Sequence, residues 1–311
     1  MAKSKTRRRQ AQPAIRVPEE QARPRWFGFA TWLAVAVVAA GVAFWVAKRQ
    51  AQHGAKQIAP PPVGLPHTPD YHALLVSPSD PRRITLGTHA GLYESIDGGR
   101  TWRKGQLARK DAMNLVRVRS GRLWAAGHNV LFASDDGGRT WEAVHPSGLP
   151  GLDLHGFAAD PSSAKTLYAA VAGKGLYRSR DGGRTYSLVT KEVGPGAFGL
   201  AVTPSGRILA AEPRHGLFAS GDHGRTWSLA LMTPIVGVAV NPANPKTVLA
   251  TGEGIFLSHD GGKRWRKAFA PPKGAGPVAW APSDPKVAYA VGFDRRLYRS
   301  GDSGATWRPV S

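Results

Sequence analysis

The sequence predicts an all-β fold, a six-bladed β-propeller of four-stranded blades, preceded by one N-terminal transmembrane α-helix. Three features carry that expectation: a short motif repeated six times, an uncharged stretch near the N-terminus, and a proline-rich segment between them. The motifs are SIDGGRTW at 95–102, SDDGGRTW at 134–141, SRDGGRTY at 179–186, SGDHGRTW at 220–227, SHDGGKRW at 258–265 and SGDSGATW at 300–307. Their serines are 39, 45, 41, 38 and 42 residues apart. A period near forty residues, with four short strands in each unit, is that of a propeller blade.

The N-terminal element comes first in the chain. Residues 26–47, WFGFATWLAVAVVAAGVAFWVA, hold no charge and are long enough to cross a hydrocarbon core as a helix. Trp26, Trp32 and Trp45 put tryptophans near both ends, as membrane interfaces favour. Eight basic residues precede the stretch (Lys3, Lys5, Arg7, Arg8, Arg9, Arg16, Arg23, Arg25), and only Lys48, Arg49 and Lys56 follow it before the repeats. That asymmetry predicts a cytoplasmic N-terminus and a propeller in the periplasm or outside the cell. Lys48-Arg49 follow directly with no small-x-small cleavage site, so an uncleaved anchor is expected rather than a signal peptide. The expected organisation is a basic cytoplasmic tail over 1–25, the span over 26–47, a Pro-rich linker over 48–70 and the propeller over 71–311. The linker's IAPPPVGLP favours extended polyproline conformation, which holds the propeller off the bilayer.

Each repeat reads alike. An apolar run ending at Pro, such as HALLVSP at 72–78, is followed by a second run such as TLYAAV at 166–171. After a glycine-bearing turn, a third run such as GLYRS at 175–179 leads into the motif, whose aromatic opens the fourth strand. Within the motif, Asp97, Asp136, Asp181, Asp222, Asp260 and Asp302 can accept hydrogen bonds from their own turn. The closing Trp or Tyr can cover the seam between blades. Every blade needs such a turn, so these carboxylates are expected to be structural. Six blades over 241 residues leave no strand over, so closure is expected by packing of blade one on blade six.

The pattern Ser-x-Asp-x-Gly-x-Thr-aromatic, with Arg264 in place of Thr in the fifth copy, resembles the BNR or Asp-box repeat. That family includes sialidases, sortilin-type receptors, xyloglucan-cleaving glycosidases, a photosystem II assembly factor and small bacterial proteins labelled glycosyl hydrolase. The resemblance covers residues 71–311 and implies an Asp-box propeller, not one activity.

Composition bounds the chemistry. The chain has no cysteine, which excludes disulfides, thiolate metal sites and cysteine nucleophiles. Its formal net charge is +21, and residues 71–311 hold 31 Lys and Arg against 18 Asp and Glu. Such a surface suits an acidic partner, whether a headgroup, a glycan or a protein segment. It is also what an arginine-rich chain uses wherever a soluble residue will do. Nucleic acid is excluded by the expected extracytoplasmic placement.

Ligand candidates follow from the repeat. Strand two-to-three turns and blade-to-blade crossings share the face opposite the boxes. His89, His128 and His215 fall in the turns of blades one, two and four, and His67 and His145 in crossings. His72 and His155 each stand six residues before the Pro that ends an inner strand; Asn114, Phe198, Val236 and Gly276 take that place in the other blades. His72, His89, His128 and His155 are therefore candidate ligands of a divalent transition metal such as Zn or Cu. Together with His215, Arg214 and Arg295 they are candidates for a ligand face that takes a protein segment or glycan.

An exo-sialidase-like glycoside hydrolase is the alternative. It needs two carboxylates flanking a sugar bond, or a Tyr nucleophile with an acid and an arginine cluster. Asp70, Asp153, Glu212, Glu253 and Asp294 are the off-box acids available, with Arg214, Arg295 and Arg296 near them in sequence. The Arg-Ile-Pro segment that sialidases carry near the first blade is missing, and no carboxylate pair is legible. The expectation leans to a membrane-anchored binding or assembly scaffold, with no catalytic residue assigned.

Overall fold

The computed structural model describes residues 63–192 and 197–311. The expected tail and transmembrane span lie outside the described residues, and among these no helix is long and apolar enough to cross a membrane. The described chain forms six four-stranded sheets, each from four consecutive strands paired antiparallel. This is the expected six-bladed propeller. The first strands are Ala73–Val76, Asn114–Arg117, Leu154–Ala159, Gly199–Val202, Ile235–Val240 and Ala275–Ala281.

Second strands are covered by neighbouring blades and are largely apolar. Leu123–Gly127, Leu167–Val171 and Val248–Gly252 are buried at every residue. Fourth strands face solvent and need no such pattern: Arg103–Lys104, Glu142–Ala143 and Arg308–Pro309 are short and exposed.

The core is divided among the seams, and the motif aromatic caps each one. Trp102 packs with residues of blades one and six, Tyr186 with blades two and three, and Trp307 with blades five and six. Trp141, Trp227 and Trp265 do the same at the other three seams. Ring closure follows this rule, and among the described residues no strand is exchanged between blades. Leu74, Val76, Ile84 and Leu86 of blade one meet Val287, Tyr289, Val291 and Leu297 of blade six. A polar contact joins the same seam: Arg100 Nε donates to the Ser311 carbonyl at 3.0 Å.

The boxes are closed hydrogen-bond units. In the first, Ser95 Oγ donates to Asp97 Oδ1 at 2.8 Å and accepts from Gly99 N at 2.8 Å. Asp97 Oδ1 also accepts from Arg100 N and Thr101 N, while Oδ2 takes the Thr101 hydroxyl. In the fifth box Arg264 Nε donates to Asp260 Oδ2 at 2.7 Å, replacing the missing threonine hydroxyl. These bonds hold the carboxyls below their ordinary range. The Thr140 and Thr185 hydroxyls contribute most at Asp136 and Asp181, the Thr226 N–H at Asp222 and the Arg264 side chain at Asp260. At Asp97 and Asp302 burial is the largest influence and pushes upward, but the summed hydrogen bonds outweigh it. The box aspartates are thus fully engaged as turn acceptors, as expected from their repetition.

Candidate functional site

On the face opposite the boxes, blades one to three bring four histidines and three aspartates into a continuous ladder. Its two ends are alike. Asp70-x-His72 and Asp153-x-His155 enter the first strands of blades one and three, and strand alternation puts both side chains of each pair on one face. The intervening rungs come from turns. The Thr88 carbonyl accepts from Ala112 N at 3.2 Å, setting His89 beside the crossing that carries Asp111. His128 pairs with Asp153 in an isolated backbone bridge, and Asn129 N donates to the Leu152 carbonyl at 3.0 Å. Gly127 lets strand two pass close to the crossing that carries Asp111, because a Cβ there would sit on the Asp111 carbonyl oxygen.

Asn114 explains why blade two has no histidine at the aligned position. Its Nδ2 donates to the carbonyls of Leu154 and His155 at 3.3 and 3.1 Å, and its Oδ1 accepts from Phe157 N at 3.1 Å. The side chain is used to clamp the strand that presents His155.

The ladder's contacts run in sequence. Asp70 Oδ1 lies 3.2 Å from His72 Nε2, and Asp70 Oδ2 contacts His89 Nδ1. His72 Nε2 is 2.8 Å from His89 Nδ1. Asp111 Oδ2 is 3.1 Å from His89 Nε2 and 2.5 Å from His128 Nδ1. His128 Nε2 is 3.2 Å from His155 Nε2 and 3.5 Å from Asp153 Oδ1, which lies 3.3 Å from His155 Nε2. Burial lowers the pKa of His72, against the raising influence of Asp70 and Asp111. The His155 ring packs on Phe198 of blade four at a centroid distance of 4.9 Å, so the ladder ends on an apolar wall.

All four histidines expected as metal ligands are therefore together, and Asp70 and Asp153, which appeared in sequence only as spare acids, join them. Asp111 was missed. Asp-x-His recurs at 70–72 and 153–155, a pattern that could have drawn Asp70 and Asp153 to their histidines, but Asp111 stands three residues before Asn114 rather than two before a histidine.

Other candidates are engaged elsewhere. His215 Nδ1 lies 2.7 Å from Glu212 Oε2, which also accepts from the Arg214 N–H within the same hairpin. Glu253 pairs with Lys267 at 3.1 Å. Asp294 Oδ2 accepts from the Tyr298 hydroxyl at 2.7 Å; burial first, and then this acceptor, push that phenol up to about 12. Arg295 Nη2 donates to His67 Nδ1 at 3.2 Å at the rim of a central cavity. Arg296 approaches Asp294 at 4.0 Å. His145 is exposed.

That cavity, of about 370 Å³, lies at the mouth of the ring and borders the ladder at Asp70 and His72. Its wall is apolar, with Tyr71, Met113, Phe198, Val236, Val291 and Phe293 among the lining residues and Arg295 beside them. Phe198 and Phe293 remain 37% and 49% exposed.

Comparison with known proteins adds the family. The sequence model described as Photosynthesis system II assembly factor YCF48 matches residues 76–310. No curated protein matches the chain. Among solved structures, it is similar to the GH74 xyloglucanase from Xanthomonas campestris at 20% identity and a TM-score of 0.57, over 82% of this chain and 46% of that one. The GH74 enzyme of Niastella koreensis matches at 19% identity and a TM-score of 0.53, over 76% of this chain and 46% of the enzyme. YCF48 from Cyanidioschyzon merolae matches at 20% identity and a TM-score of 0.51, over 80% and 87% of the two chains. The chain thus spans about half the length of these two GH74 proteins. At such identities the likeness is one of fold. The family match runs through all six blades, and the chain belongs to the BNR-repeat propeller family described as Photosynthesis system II assembly factor YCF48.

Proposed function

We propose that this protein is a membrane-anchored, extracytoplasmic binding or assembly scaffold that holds a protein segment at the propeller mouth. The observation that carries this reading is the central cavity. Phe198 and Phe293 stay partly exposed around an apolar hollow, although the same chain buries large aromatics such as Trp102 and Trp124 almost completely. Exposed aromatics around a concavity, with few polar groups, suit an apolar side chain of a partner. Arg295 supplies a cation at the rim, so the preferred segment is apolar with a nearby carboxylate. The family, described by an assembly factor, supports the same role.

The anchor and its orientation rest on the uncharged stretch at 26–47 and the basic residues before it. A reporter fused after Ser311 tests them: activity confined to an extracytoplasmic phosphatase fusion supports the placement, and a cytoplasmic signal overturns it.

The rival glycosidase reading needs a free pair of carboxylates. Asp70, Asp111 and Asp153 contact imidazoles, while Glu212, Glu253 and Asp294 are tied to groups of their own blades. Photo-crosslinking in cells separates the two readings. A crosslinking amino acid at Phe198 or Phe293 should give one discrete protein adduct that the same group at exposed Met232 does not. Equal labelling from all three positions, or glycan cleavage by the purified protein without an adduct, sinks the scaffold reading.

A further inference from the structure

We propose that the ladder holds two divalent late first-row metal ions, one on Asp70, His72 and His89 and one on His128, Asp153 and His155, with Asp111 as a shared support between them. The second triad shows the geometry most clearly. Its three ligand atoms form a nearly equilateral triangle with sides of 3.2, 3.3 and 3.5 Å. A tetrahedral ion with bonds of about 2.0–2.1 Å to nitrogen and oxygen sets its ligand atoms about 3.3 Å apart. The triangle therefore has the edges of one coordination face, with a fourth position left for water or another donor. Asp153 Oδ1 is inaccessible and makes no hydrogen bond, although two ring nitrogens face it. The first triad repeats the chemistry more tightly, with His72 Nε2 2.8 Å from His89 Nδ1 and Asp70 against both rings.

Asp111 supplies an independent argument. Ligating imidazoles are held through their other ring nitrogen, commonly by a carboxylate that fixes tautomer and orientation. Asp111 Oδ2 meets the nitrogens of His89 and His128 that face away from the two triads. With N–H on those nitrogens, His89 Nδ1 and His128 Nε2 present lone pairs to their sites. The alternative grouping of His89, Asp111 and His128 uses those same supporting nitrogens and would leave both outer triads without one of their imidazoles.

The donor set selects the ion. Two imidazoles and one carboxylate without thiolate suit Zn²⁺, Cu²⁺ or Ni²⁺. Mg²⁺ and Ca²⁺ want six or more oxygen donors and are poorly served. The bland alternative is an ion-free network of His–Asp hydrogen bonds. It predicts no stoichiometric metal.

The test uses full-length protein in detergent, carrying a tag without histidine and stripped with a chelator. Zn²⁺ is titrated against a chromophoric competitor. Two equivalents are expected, His72→Gln and His155→Gln each losing one and the double variant losing both. Asp111→Asn should keep both sites and weaken each about 10–100-fold. His215→Gln should change nothing, Mg²⁺ should not compete, and Co²⁺ should give the visible bands of low-coordinate nitrogen and oxygen ligation. Circular dichroism of each variant controls for folding. Fewer than two equivalents, or binding unchanged in the double variant, overturns the assignment. The readout is independent of the crosslinked segment, so either idea can fail alone.

Discussion

Asp111 Oδ2 lies 2.5 Å from Nδ1 of His128, a contact across 17 residues that ties the crossing into blade two to that blade's own turn. A carboxylate oxygen can only accept, so the imidazole must carry its proton on Nδ1. One side chain thereby decides which nitrogen of its neighbour is free.

The first prediction is that tautomer. Nitrogen-15 spectra of selectively labelled protein, with metal removed, should show His128 protonated at Nδ1 and unprotonated at Nε2. Asp111→Asn should shift the ring toward a mixture, because an amide can donate as well as accept. A His128 ring already protonated mainly at Nε2 in the parent protein would contradict the geometry.

Gly127 makes a sharper probe of the same neighbourhood. Its missing Cβ lets strand two of blade two approach the Asp111 carbonyl oxygen and Met113 N. Gly127→Ala must displace backbone rather than a flexible side chain, so the crossing should move and the His128–Asp111 contact lengthen. The expected outcome is a folded propeller with a lowered melting temperature and an altered His128 resonance. Unchanged melting and spectrum would show the approach to be looser than described.

Trp102 is the test of closure. It is 2% exposed within the blade-one to blade-six cluster, and its Nε1 donates to the Gly99 carbonyl at 3.0 Å. Trp102→Ala should lose about 3–5 kcal/mol of stability, the usual range for deleting so large a buried side chain. Chemical denaturation measures it. A loss below about 1 kcal/mol would mean that the seam collapses around the gap, and that closure does not lean on this residue.

How much of this was legible in the sequence differs by residue. The boxes were, because Ser95, Asp97, Gly99 and Thr101 satisfy one another within seven positions and need no distant partner. The seam role of the aromatics followed from their fixed place after each box. The equivalence of His72 and His155 was legible through their equal distance from Pro78 and Pro161. Asp111 was not, since its role depends on two turns meeting a crossing across blade boundaries. The cavity was not legible either. Phe198 and Phe293 line one hollow only because the ring has a particular width, and no local pattern encodes width.

The box interior offers a finer prediction. Ser95 is 3% exposed, donates to Asp97 and accepts from Gly99 N. Ser95→Ala leaves a buried N–H without its acceptor and should destabilise by about 1–3 kcal/mol. Arg264→Thr should leave the unfolding midpoint unchanged, because a threonine hydroxyl fills the same role in five sister boxes. Arg264→Ala should lower the midpoint, since Asp260 Oδ2 then loses its side-chain donor. A threonine variant as weak as the alanine variant would deny the substitution rule.

Acid should unravel the propeller through these same carboxylates. All six box aspartates have folded-state pKa values below their ordinary one, so the unfolded chain binds more protons as pH falls. Their stabilising contribution is complete above the unfolded value of about 3.9 and is lost as pH drops through the lower folded values. The melting temperature should therefore be insensitive to box protonation from neutrality down to about pH 5, and should fall steeply below about pH 4. Asp97→Asn should make that acid limb shallower, because one proton-linked group is removed while the side chain's shape is kept. Calorimetry of the two proteins from pH 6 to pH 3 measures the difference, and parallel acid limbs would place the pH dependence outside the boxes.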